Sequence, residues 1–138
     1  MTYTLATTVS LPWAEALERT REALAAQGFG ILTEINIRST FEAKLGTEAA
    51  DAVGDYVILG ACNPSLASRA LAAEPEMGAL LPCNVVVRRN SSADSTTVEA
   101  IDPQTMVQLS SAPSVKDVAD DAGTRLRKAL ASLGGTPD

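Results

Sequence analysis

Residues 83–101 read CNVVVRR, NSSAD and STTVEAI: two β-prone runs joined by five turn residues. So short a connection makes them an antiparallel hairpin. A parallel neighbour would need a crossover of roughly a dozen residues. The hairpin thus counts against a doubly wound α/β sheet, which remains the alternative architecture.

The other elements group around this hairpin. Residues 3–10 contain Thr, Tyr and Val and read as a first strand. Pro12 suits the first turn of a helix. Trp13, Ala16, Leu17, Ala23 and Leu24 then recur at helical spacing, Glu15 stands four before Arg19, and Gly28 supplies a stop. These predict an amphipathic helix over 13–27. In FGILTEINIR, Ile31, Thr33, Ile35 and Ile37 alternate with Leu32, Glu34, Asn36 and Arg38. That period predicts a half-buried strand with Glu34 on the face opposite the isoleucines. Ser39 with Glu42 forms a capping box for a short helix ended by Gly46. Residues 47–54 carry no clear period and read as a loop.

DYVILGA is a nearly continuous apolar run, as expected of a central strand covered on both faces. Asn63-Pro64 opens a helix whose inner face is Leu66, Ala67, Ala70 and Leu71. Pro75 opens a further short turn through Leu80, and Pro82 stops it. After the hairpin, Asp102-Pro103 repeats the cap-then-proline pattern before the short helix PQTMVQL. A last helix begins near Ser114 with the stripe Val115, Val118, Ala119, Ala122, Leu126, Ala129, Leu130 and Leu133. Lys116–Asp120 and Asp121–Arg125 support it, and residues 134–138 read as a frayed tail. The predicted order is β-α-β-α-β-α-β-β-α-α. It describes one α+β domain over residues 1–138, in two layers, with a mixed, roughly five-stranded sheet and helices packed on it.

Composition narrows the chemistry. The net charge of −6 leaves no basic face for a nucleic acid. The chain has no histidine, which excludes a Ser-His-Asp triad and removes the commonest zinc ligand. No apolar stretch approaches the ~20 residues that span a bilayer, and the first residues lack a basic start. The expectation is a cytoplasmic protein with reduced thiols and no membrane or nucleic-acid partner. GFG and LGA are strand and cap glycines rather than a phosphate loop.

The only two cysteines stand in Cys62-Asn63-Pro64 and Pro82-Cys83-Asn84. Their spacing is not CxxC, so the local redox motif is absent. Two thiolates suit copper(I) or zinc, though zinc usually takes four ligands. If the strands bearing Cys62 and Cys83 are parallel, the thiols lie roughly 17–20 Å apart. If antiparallel, they share one end. Against a joint metal site stands the reading of two small buried core residues. Cys62 alone, beside a helix start, is a candidate nucleophile, weakened by the missing histidine. Asn63, Asn84, Arg69 and Glu74 complete a candidate ligand-binding set with the cysteines. Arg69, Glu74 and Glu76 equally suit a wet helix face. Glu34 with Lys44 is a candidate acid/base pair or a surface ion pair.

Three blocks, GFGILTEINIRSTFEAKLG, DYVILGACNPSLASRALAAEPEMGALLPCNVVV and AIDPQTMV, resemble the prokaryotic domain-of-unknown-function family three-zero-two. Both cysteines fall inside the family's motif, and the resemblance runs from the first helix to the last. Only Thr47 to Gly54 departs from the familiar pattern. The resemblance implies a small α+β domain that tends to dimerise, with no activity and no cofactor assigned. The resulting expectation is a cytoplasmic, homodimeric binding or interaction module. Its interface elements would be the last helix and the sheet's edge strand. Small-ligand or soft-metal binding at Cys62/Cys83 is the alternative, and a thiol-dependent enzyme using Cys62 the second.

Overall fold

A computed structural model describes residues 3–137. The strands are β1 (Thr4–Val9), β2 (Gly30–Asn36), β3 (Asp55–Cys62), β4 (Cys83–Arg89), β5 (Thr96–Ile101) and β6 (Thr136–Pro137). The helices are α1 (Trp13–Ala26), α2 (Ile37–Leu45), α3 (Thr47–Val53), α4 (Pro64–Ala73), α5 (Gln104–Leu109) and α6 (Pro113–Ala131), with a 3₁₀ turn at Pro75–Leu80. The strands form one six-stranded sheet in the order β2-β3-β4-β5-β1-β6. Each neighbouring pair is antiparallel. This corrects the mixed, five-stranded expectation and overturns the doubly wound alternative. Because neighbours alternate in direction, β1 and β2 point the same way from opposite sides of the sheet. Helix α1 is the crossover that joins them. No described helix is long and apolar enough to cross a membrane.

One face of the sheet is covered. Val57, Leu59 and Ala61 of β3, Val85 and Val87 of β4, and Val98 and Ala100 of β5 pack under Ala16 and Leu24 of α1 and Leu126, Ala129 and Leu130 of α6. Each buried Val or Leu contributes about 1.5–3 kcal/mol of apolar transfer. A second cluster joins Leu66 and Ala70 of α4 to Met77, to Met106 of α5, and to Val115, Val118, Ala119 and Ala122 of α6. The stripe of the last helix is therefore absorbed by the chain's own core. On the other face, Tyr56, Ile58, Val86, Glu99 and Ile101 are only half buried.

Three local expectations change. Helix α2 starts at Ile37, because the side chain of Asn36 caps it by accepting from the Ser39 amide at 3.0 Å. Its first turn takes Ile37 and Arg38 from the strand and displaces the Ser39–Glu42 box. Residues 47–53 are a helix, not a loop. The run TEAADAV is too short to display a period, yet Gly46 (φ 99) and Gly54 (φ 73) punctuate both its ends. The tail expected to fray is tied instead as β6, with Thr8 facing Thr136 and Thr7 facing Pro137; Asp138 lies outside the described residues.

A bulge resets β2. Gly30 faces Cys62 and Ile31 faces Ala61, but Thr33, not Leu32, faces Gly60. The extra residue at Leu32 reverses the alternation downstream. Ile31 keeps to the covered face, whereas Thr33 and Ile35 move to the open one. Glu34 now faces Leu59 and shares the side of Ile31, the reverse of the arrangement expected from simple alternation.

Candidate functional site

The two cysteines meet at one end of the sheet because β3 and β4 are antiparallel, with Ala61 facing Cys83. Helix α4 carries the chain out, and the Pro75–Leu80 turn, packed beside α4, carries it back. Asn63 fixes the exit: its Oδ1 accepts from the Leu66 amide at 3.1 Å, with Pro64 in the first helical turn. Both cysteines are free, Cys83 buried and Cys62 half buried. The pleat, however, separates their directions. Facing residues share a side, so Cys83 goes with Ala61 to the covered face, while Cys62, one residue on, starts from the opposite side. They border one small cavity of about 30 Å³ together with Phe29, Leu66, Pro82 and Met106. That volume holds roughly one water.

Burial pushes the Cys83 thiol up to about 11, and the neighbouring Cys62 charge adds to the shift. Cys83 is therefore a neutral thiol at physiological pH, whereas a nucleophile or metal ligand must be a thiolate. No group of three or more Cys, Asp or Glu side chains gathers among the described residues. A tetrahedral zinc centre cannot be assembled from them; the thiols alone remain as soft ligands.

The other candidates disperse. Glu34 pairs with Arg21 of α1, and Arg21 also meets Glu18 at 3.4 Å. Lys44 stands exposed on α2. The Glu34–Lys44 acid/base pair is thereby overturned: the bulge at Leu32 aims Glu34 toward α1 instead. Arg69 and Glu76 are exposed. Glu74 is structural, its Oε1 accepting from Ser110 Oγ at 2.8 Å. Asn84, which faces Gly60, lies on the open face, opposite to Cys83.

That open face holds the feature the sequence reading missed, a cleft of about 630 Å³. Asn84 and Val86 of β4 and Glu99 and Ile101 of β5 form its floor, with Tyr3 and Tyr56 at its margin. Arg88 Nε donates to Glu99 Oε1 at 2.8 Å, and Thr4 Oγ1 donates to Glu99 Oε2 at 3.3 Å. One trace was available in advance. Tyr56, Ile58, Val86 and Ile101 are apolar positions of opposite parity to the core residues, and they stay half buried.

Fold and site together define a class: small two-layer α+β domains with one helix-covered and one open sheet face. Within it, the chain belongs to the family described as Domain of unknown function DUF302, whose model matches residues 5–133. It is similar to the crystal structure of an uncharacterized conserved DUF302 protein from Bacillus stearothermophilus, at 28% identity and a TM-score of 0.83. That match covers 96% of this chain and 99% of the other. No curated protein matches the chain.

Proposed function

We propose that the chain works as a non-catalytic, homodimeric interaction module in the cytoplasm, joined edge to edge along β2. The observation that carries this reading is the state of that edge. Every residue of β2 except Ile31 is exposed, including Leu32 (65%) and Ile35 (47%). The helix that follows, α2, has no buried residue, and its Leu45 is 68% exposed. Beyond the bulge, the half of this edge at residues 33–36 carries the exposed Ile35 and no lysine or proline, and it invites strand pairing. A two-fold axis satisfies it with a second copy of itself. Free thiols at Cys62 and Cys83 fit a reducing compartment. Thiol catalysis is the weaker reading, since no histidine is available to activate Cys62 and the proton on Cys83 is firmly held.

Light scattering tests the reading. The mass at micromolar concentration should be twice the chain's 14.3 kDa. Ile35→Lys, which puts a charge on the exposed edge, should halve it without unfolding the domain. A monomeric wild type, or an Ile35→Lys protein that stays dimeric, would refute the assembly.

A further inference from the structure

The cleft on the open face is a candidate site that the self-association does not use, since one lies on the sheet's face and the other along its edge. Its centre is Glu99, which faces Ala6 of β1 on one side and Val86 of β4 on the other. A carboxylate in such apolar company must be compensated. Arg88 does this at 2.8 Å from beside the cleft, so the floor's one carboxylate is already paired. Both of the chain's two tyrosines stand at the margin, Tyr3 with 70% of its surface exposed. The opposite wall is the end of the 3₁₀ turn, Leu80 to Pro82. The volume falls within the range of roughly 300–1,000 Å³ typical of small-molecule sites.

The geometry points to a binding site here for a neutral, flat, largely apolar small molecule that carries a hydrogen-bond donor. Each property has a cause. An anion would confront the Glu99 carboxylate, and a cation would compete with Arg88 for it, so the balanced pair selects a neutral guest. Val86 and Ile101 offer an apolar floor, and tyrosine rings at the margin offer flat faces for stacking. An ionised carboxylate is an acceptor only and has about four lone-pair sites. Arg88 and Thr4 take two of these, which leaves Glu99 able to accept from a guest N–H or O–H.

Two fluorescent probes with one skeleton test this on the full chain. N-phenyl-1-naphthylamine is neutral, has two aromatic ring systems and carries one N–H. 8-Anilinonaphthalene-1-sulfonate is the same molecule with a sulfonate added. The neutral probe should bind once per chain and roughly tenfold more tightly than the sulfonate. Val86→Trp fills the floor from the open face and should weaken the neutral probe by roughly tenfold or more. Tyr3→Ala, at a position outside the core, should weaken it in the same direction and serves if Val86→Trp fails to fold. Glu99→Gln leaves Arg88 uncompensated and should close the gap between the probes by favouring the sulfonate. Equal affinity for the two probes, or affinity that neither Val86→Trp nor Tyr3→Ala changes, overturns the site. So does a Val86→Trp protein whose mass falls from dimer to monomer, because a second copy would then be the occupant of this face. Ile35→Lys, which acts at the edge, should leave probe binding intact.

Discussion

Alkaline pH should weaken the fold through Cys83. Its thiol, ordinarily near 9, is held at about 11 in the folded chain, chiefly by burial. Below pH 9 both folded and unfolded chains keep the proton, and the full stability is present. Between 9 and 11 the unfolded chain ionises while the folded chain does not, so stability falls as pH rises. Above 11 both are ionised and the loss stops growing. The loss amounts to about 1.4 kcal/mol near pH 10 and about 2.3 kcal/mol near pH 11, approaching about 2.7 kcal/mol. Urea melts across this range should be run on the wild type and on Cys83→Ala. Ionisation of lysine and tyrosine is common to both and cancels in the difference. The variant's lost packing adds an offset that does not vary with pH. Cys62→Ala should keep most of the effect, because the Cys62 charge is the smaller cause. A wild-type-minus-Cys83→Ala difference that stays flat between pH 8 and 11 would refute the argument.

Two further substitutions probe the elements that position the site. Asn63→Ala removes the 3.1 Å cap on α4 and should cost about 1 kcal/mol in urea unfolding, with Asn63→Asp retaining most of it. Gly54→Ala should cost more than about 1 kcal/mol. Its φ is 73°, and a Cβ would meet Arg89 O and the Asn90 Cα at 2.7 Å. A variant as stable as wild type would show that the β3–β4 end yields more easily than these contacts imply.

The parts of this fold that were legible in the sequence are those fixed by neighbours along the chain. Asn63-Pro64 and Asp102-Pro103 do what their chemistry dictates. Asn63 caps α4, and Asp102 Oδ1 accepts from the Gln104 amide at 3.0 Å. The ion pairs of α6 form where their four-residue spacing puts them, Lys116–Asp120 at 2.7 Å and Asp121–Arg125 at 2.8 Å. The hairpin pairs as its short turn requires. What escaped depends on partners far away in sequence. The bulge at Leu32 exists only in register with β3, and it alone decides which way Glu34 faces. The tail orders because Thr7 and Thr8, at the other end of the chain, receive it. The candidate thiol site was half legible: the sequence could state that antiparallel strands would bring Cys62 and Cys83 to one end, but not that the strands are antiparallel. The cleft was the least visible, since it opens over the sheet face that α1 and α6 leave alone, and helix count does not say which face each helix takes.

The sheet's two margins are unequal, and this bears on how far any assembly can grow. At the margin opposite β2, β6 contributes Thr136 and Pro137 among the described residues, and proline has no N–H to extend a ladder. A pair formed through β2 uses that strand in both copies at once. At the other margin β6 faces only Thr7 and Thr8 of β1, so it blunts one end of that strand. In the proposed pair the two margins therefore differ: a strand that carries a proline, rather than a second β2, would face any further copy.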